Sequence, residues 1–206
     1  MKIIKHSIEE LIEKLRTVRI MGFGNPVIYP EPLVIDIDFV WINEIKPCQN
    51  YYLEDNVKNI TNLRNQILSE HNIDVFSMGM SSNRSVGYID IELPSGELMP
   101  YMPPIVETYL PEKFLVNDGI HRLIAATRAG IEFPDCIVID KPDWPYYAYP
   151  LDAGWDGVQK IEGELPEGFA KKSYRLPTKD LYKQLFRNFN DVFPGVQKDR
   201  PKGTVS

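Results

Sequence analysis

Phe114-Leu115-Val116-Asn117-Asp118-Gly119-Ile120-His121-Arg122-Leu123-Ile124-Ala125-Ala126-Thr127-Arg128-Ala129-Gly130 is the stretch whose reading decides the fold. It begins as a short apolar strand, turns at Asn-Asp-Gly, and continues as an alanine-rich helix that opens on a histidine and an arginine. Asp118 is the expected N-cap, because its carboxylate can accept the free amides of the first turn, and Gly130 is the expected C-terminal stop. Ile120, Leu123, Ile124 and Thr127 have the i, i+3, i+4, i+7 spacing of a buried face. Ala125, Ala126 and Ala129 allow close approach to a sheet.

Packing leaves the charge unexplained. A helix start carries roughly half a positive charge from its unpaired amides, so Arg122, and His121 if protonated, stand where a cation is disfavoured. Two readings are open. In one, an external phosphate meets backbone amides, an imidazole and a guanidinium at a strand-to-helix junction. In the other, Asp118 caps the helix and pairs with Arg122 while His121 points into solvent.

Working outward, Ile105-Val106-Glu107-Thr108 before the turn and Cys136-Ile137-Val138-Ile139 after the helix are apolar strands. Residues 86–93 and 97–102, joined through Pro94-Ser95-Gly96, read as a hairpin. Residues 33–41 read as a strand in which Asp36 and Asp38 alternate with apolar positions, and 42–47 as a short turn. A helix is expected over 55–69, with Val57, Ile60, Leu63, Ile67 and Leu68 on its apolar side and an asparagine-rich opposite face. Ser7 and Glu10 form a capping box before a helix over 7–18. Met21-Gly22-Phe23-Gly24-Asn25-Pro26 is a loop, since Pro26 and Pro30 rule out the helix a nucleotide fingerprint needs. Met78 to Ser85 is rich in glycine and serine and is expected to be mobile.

Beyond Asp140 the composition changes to Lys141-Pro142-Asp143-Trp144-Pro145-Tyr146-Tyr147-Ala148-Tyr149-Pro150, too proline-rich for a central strand. Its aromatics are expected to anchor an extended segment to the core, with base stacking as the alternative. Pro177-Thr178 is expected to cap a last helix running to Val192, with Leu181, Leu185, Phe186 and Phe189 inward and Lys179, Lys183 and Arg187 outward. The tail after Pro194 is polar and expected to fray. The alternation of strands and helices gives a mixed α/β sheet. Three stretches follow: an N-terminal helix and loop (1–32), a core (33–140), and a C-terminal extension with one helix packed on that core (141–206).

A chain of 206 residues with 43% hydrophobic content can bury one good core. Twenty-nine acids against 23 bases give a net charge of −6, which opposes the diffuse attraction that drives non-specific nucleic-acid binding. Cys48 and Cys136, both in apolar surroundings, read as reduced buried thiols and not as a disulfide framework or metal site. Neither a membrane span nor a secretory leader is visible, so a cytoplasmic protein without membrane association is expected.

With these elements placed, residues 33–140 resemble the ParB/sulfiredoxin superfamily. The correspondence rests on Ile45-Lys46-Pro47, Pro104-Ile105-Val106, Leu115-Val116-Asn117-Asp118-Gly119-Ile120-His121-Arg122, Ala125-Ala126, Ala129-Gly130-Ile131 and Cys136-Ile137-Val138. The expected fold is therefore a ParB/sulfiredoxin-like mixed sheet with packed helices, extended by the N-terminal helix and the proline- and aromatic-rich C-terminal segment. The resemblance implies that Asp118, Gly119, Ile120, His121 and Arg122 line a nucleotide phosphate site. Members of the superfamily include free-serine kinases, sulfiredoxins, CTP-hydrolysing partition proteins and domains described as nucleases, and fold alone does not choose among them.

The departures do some choosing. Ile120 stands where sulfiredoxins carry their catalytic cysteine, and an alkyl group cannot replace a thiolate nucleophile. Partition proteins carry two arginines where this chain has His121-Arg122, followed by a helix-turn-helix module that the C-terminal third does not offer. Gln49 stands where the serine kinases carry a basic glutamate, and an amide accepts no proton at neutral pH.

The leading expectation is a nucleotide-dependent phosphotransferase (kinase) or nucleotide hydrolase acting on a small hydroxyl substrate. His121 would serve in catalysis, Glu44 or Glu54 as base, and Asp118 as a magnesium ligand beside ATP, ADP or CTP. Two alternatives stand beside it. One is a nucleotide-sensing module that needs no base. The other is a ParB-like nuclease contacting nucleic acid through Lys171-Lys172, Arg175 and the last helix, against which the global acidity counts.

Overall fold

The computed structural model describes residues 1–78, 86–110, 113–176 and 179–195. In chain order these form β1 (Lys2–Ser7), α1 (Ile8–Leu15), β2 (Arg19–Ile20), β3 (Ile35–Phe39), a 3-10 turn (Ile42–Glu44), β4 (Ile45–Lys46), β5 (Tyr51–Leu53) and α2 (Glu54–His71). There follow β6 (Val86–Glu92), β7 (Leu98–Tyr101), β8 (Ile105–Leu110), β9 (Lys113–Asp118), α3 (Ile120–Arg128) and β10 (Asp135–Ile139). The C-terminal part adds β11 (Gln159–Ile161), α4 (Lys179–Lys183) and β12 (Arg187–Asn188). The class is mixed α/β, as the order of elements predicts.

The central sheet has the order β3-β10-β8-β9-β4 and is mixed: β10 runs parallel to β8 and antiparallel to β3, while β8 and β9 form an antiparallel hairpin. Because side chains alternate across a strand, Ile105 of β8 joins Ile137 and Ile139 on one face, packed on Leu11 and Leu15 of α1. Val106, Val116 and Cys136 occupy the other, under Ile120 and Leu123 of α3. A second sheet, β1-β6-β7, shares a cluster with Val57 and Ile67 of α2 and Ala125 and Ala126 of α3.

Residues 1–7 carry no strong alternation, yet they form β1 because the β6–β7 hairpin offers an open edge that takes their backbone bonds. The first helix starts at the expected capping box, with Ser7 Oγ accepting from Glu10 N–H and the Glu10 carboxylate accepting from Ser7 N–H. Residues of all three stretches meet in one core, where Leu11, Tyr29, Ile105, Ile137, Phe189 and Phe193 are packed together. Tyr146, Tyr147 and Ala148 are buried, so the aromatic segment anchors as expected. Both cysteines are free and buried. Burial pushes the Cys48 thiol up to about 12 and raises that of Cys136 further, leaving neither as a nucleophile.

Several expectations are corrected. The last helix ends at Lys183 instead of Val192, and the chain turns extended at β12, so a 3.6-residue period no longer assigns faces there. Leu181, expected inward, is 41% exposed, whereas Arg187, expected outward, is 1% exposed. Leu68 of α2 and Thr127 and Ala129 of α3 lie on exposed surfaces. The segment 79–85, the Pro177-Thr178 cap and the tail beyond 195 fall outside the described residues. No helix among the described residues is long and apolar enough to cross a membrane.

Candidate functional site

The turn between β9 and α3 is built around Gly119, whose φ of +97° lies in the left-handed region. A Cβ there would sit 2.9 Å from Pro104 Cα and from the Arg122 guanidinium, so only glycine fits both the dihedral and the space. Gly119, and not Asp118, is the N-cap of α3, and no side chain caps the helix. The expected Asp118 cap is thereby corrected. Asp118 is the last residue of β9, and its carboxylate turns to accept from Arg122 Nη2. The other end behaves as predicted: Gly130 N–H bonds Thr127 C=O and Ile131 N–H bonds Ala126 C=O, both at 3.0 Å, a Schellman closure with glycine left-handed.

Arg122 is an internal group. It is 9% exposed, donates through Nη1 to Met102 C=O, and pairs with Asp118. The cation at the helix mouth is thus paired with a carboxylate of the preceding strand, as the second of the two readings has it, and both side chains line the space in front of the turn. His121 does not point into solvent: its Nε2 accepts the Leu53 N–H at 3.1 Å, at the residue that opens α2. An accepting nitrogen carries no proton, so the imidazole proton is on Nδ1 and His121 adds no cation in this arrangement.

In front of the turn lies a cavity of about 620 Å³. Gly119, Ile120 and His121 from the start of α3 line it on one side and Leu53 and Asn56 from the start of α2 on another. Neither helix has a side-chain cap among the described residues, so both leave first-turn amides beside one space; α2 carries Glu54 and Asp55 in its first turn, whereas α3 carries no acid there. The wall also includes Cys48, Gln49, Tyr101, Tyr147, Lys171 and Lys172. Among the described residues of the lining, three cations, Arg122, Lys171 and Lys172, stand with one carboxylate, Asp118, in a chain whose net charge is −6. The Tyr101 hydroxyl is buried without a hydrogen-bond partner among the described residues, and burial raises its pKa, so it stays a protonated donor.

The expected bases are not brought to this space. Glu54 receives two bonds from Arg128, at 2.8 and 2.9 Å, and that guanidinium holds its carboxyl below the usual carboxylate range. Glu44 ends the 3-10 turn, and neither acid lines the cavity. Gln49 does line it, but its Nε2 is committed to Tyr51 C=O at 2.6 Å. No cluster of three or more metal-ligating side chains occurs among the described residues.

A family model described as ParB CE domain matches residues 10–159. The chain belongs to the ParB CE domain family. The match reaches well upstream of residue 33, in accord with an N-terminal helix built into the same core. Among solved structures, SbnI with C-terminal truncation from Staphylococcus aureus is similar over 50% of this chain and 30% of that one, at 12% identity and a TM-score of 0.30. The chain thus spans less than a third of that protein's length. No curated protein matches.

Sequence reasoning missed several residues of the wall. Tyr101 ends β7, and nothing in its neighbourhood marks an orphan hydroxyl. Lys172, offered as a nucleic-acid contact in the nuclease alternative, is 6% exposed. Gln49 and Lys172 pair in an isolated bridge, so the C-terminal extension supplies part of a site whose other parts lie in the family core. Arg175, likewise expected to face nucleic acid, donates to Tyr146 C=O and stacks on Tyr149.

Proposed function

We propose that this chain is a nucleotide-binding module of the ParB type, in which phosphate oxygens meet the first-turn amides of α3 and the ligand fills the cavity between α2 and α3. The observation that carries the reading is the pair of uncapped helix starts opening on a cation-rich cavity in an acidic chain. The orphan Tyr101 hydroxyl supports it, since a buried donor without an acceptor is relieved by a ligand oxygen. Cavities of roughly 300–1,000 Å³ suit ligands of nucleotide size. Binding is favoured over phosphoryl transfer, because Asp118, the one carboxylate in the lining among the described residues, is paired with Arg122.

Thermal unfolding with ATP, ADP, CTP and GTP, with and without magnesium, tests this. A binding nucleotide stabilises the protein by about 2.7 kcal/mol at a hundredfold excess over its Kd. Asn56→Asp is the discriminating variant. It adds a negative charge in the first turn of α2, which the helix dipole favours, yet places that charge in the cavity wall. The variant is expected to fold as well as the parent and to bind nucleotide several-fold more weakly. Absence of stabilisation by all four nucleotides overturns the proposal. Consumption of the nucleotide by the pure protein overturns the assignment to binding alone.

A further inference from the structure

Lys172 is a buried ammonium whose charge no carboxylate among the described residues neutralises. Its Nζ donates to the hydroxyls of Tyr146 and Tyr147, at 2.6 and 2.7 Å, and lies 5.0 and 4.5 Å from the centres of their rings. Phenols and ring faces are neutral: they take up two of the three N–H donors and soften the charge without cancelling it. Among the described residues no carboxylate pairs with Lys172. Glu107, the buried acid of this neighbourhood, is already held by Arg187 through two bonds at 2.9 Å, and Arg187 covers the same Tyr146 ring at 5.1 Å. Two buried cations therefore share one buried anion. Removing an ammonium from water without a counter-charge is costly, and folded proteins keep such groups where a function uses them.

The position is fixed. Asn50 N–H bonds Lys171 C=O at 2.9 Å, Tyr149 N–H bonds Ser173 C=O at 2.8 Å and Arg175 N–H bonds Tyr147 C=O at 2.9 Å, so residues 171–175 run extended between two other segments. Lys172 lines the same cavity as the start of α3.

We propose that Lys172 is the second anion-binding pole of the cavity and receives an oxyanion, carboxylate or phosphate, of the bound ligand. For the first pole, at α3, the proposal rests on the nucleotide reading above. In this arrangement the ligand carries two separated anionic groups, one at the helix amides and one at the ammonium. The C-terminal extension then selects ligands by their second charge, and the charge-assisted bond replaces the missing counter-ion.

The full chain and its Lys172→Met variant, which keeps the length and apolar stem of the side chain, are titrated calorimetrically with ADP, inorganic pyrophosphate and succinate. Folding is followed by near-UV circular dichroism. The variant is expected to fold and to bind ADP about tenfold more weakly or worse, the loss of one charge-assisted hydrogen bond. Pyrophosphate competing with ADP in the parent but not in the variant identifies a phosphate at the second pole; succinate doing so identifies a carboxylate. Unchanged ADP affinity in a folded variant overturns the role of Lys172 and leaves the α3 reading standing. Lys172-dependent binding of pyrophosphate or succinate without any ADP binding overturns the nucleotide reading and keeps the pole. Binding of no probe overturns both. Should the variant not fold, the Lys172 Cε resonance of parent protein labelled with 13C-lysine is followed with the same three probes. A shift at saturation with any of them supports the pole, and no shift with any of them overturns it.

Discussion

Glu107 stands at 2% exposure in the middle of β8 because three side chains converge on its carboxylate through four hydrogen bonds. Arg187 donates through Nε and Nη2 at 2.9 Å, the Tyr29 hydroxyl at 2.7 Å and Asn117 Nδ2 at 2.8 Å. Nothing in the sequence reading singled out Glu107, and its partner was not legible, because Arg187 lies 80 positions away in a segment whose helical spacing pointed it outward. Glu107→Gln leaves a buried guanidinium without a counter-charge and is expected to lower stability by about 3–5 kcal/mol in urea unfolding. Replacing Arg187 by Met in the same chain is expected to restore a large part of that loss, as removal of a whole buried pair does. A Glu107→Gln protein as stable as the parent contradicts this account. The Gly119 turn, by contrast, was legible as a turn, but the reason no other residue fits is the approach of Pro104 and Arg122, which no local pattern reveals.

Elements with strong local signals emerged as read. The capping box placed the start of α1, Gly130 placed the end of α3, and the Pro-Ser-Gly turn placed the β6–β7 hairpin. Elements whose signal was a period alone fared worse, as the shortened α4 shows: an amphipathic count does not say where a helix stops when tertiary contacts offer the backbone a strand partner, here β2. The end of α2 carries its own electrostatic lock. Arg64 Nε bonds Asp74 Oδ1 at 2.7 Å while its guanidinium covers the Phe76 ring. Burial would push the Asp74 carboxyl up, but Arg64 and the Phe76 N–H outweigh it and hold the group below its ordinary value. A carboxyl depressed in the folded state contributes stability above its unfolded pKa and loses it as pH falls through the folded value. Unfolding midpoints are therefore expected to decline as pH falls below about 4. Asp74→Asn is expected to lower the midpoint at pH 7 and to flatten that decline, and an equally steep decline in the variant removes Asp74 as its source.

At the scale of the whole molecule, the three stretches drawn from composition behave as one packing unit. Phe189 and Phe193 sit in the same cluster as Leu11, Leu15 and the central sheet, and Lys172 closes the cavity in front of α3. A chain ending at residue 176 loses Arg187 from Glu107 and both phenylalanines from the core. Large aromatic losses of this kind cost about 3–5 kcal/mol each, against a total stability of about 5–15 kcal/mol. The truncated chain is expected to show no cooperative near-UV transition on heating. A sharp transition close to that of the full chain would make the C-terminal extension a dispensable layer.

By itself the sequence determined the local grammar of this protein: caps, turns, strand alternation, the strand-turn-helix box and with it the family, because each of these depends on residues within a few positions of one another. Tertiary structure alone decided which charges are spent and which remain. Glu54 is neutralised by Arg128, Arg187 is buried against Glu107, and among the described residues no carboxylate pairs with Lys172, which lines the cavity at the start of α3. The reason is physical. Burial and pairing of an ionisable group depend on what packs across from it, and here Arg128 reaches Glu54 from 74 positions away while Arg187 and Lys172 come in with the C-terminal extension.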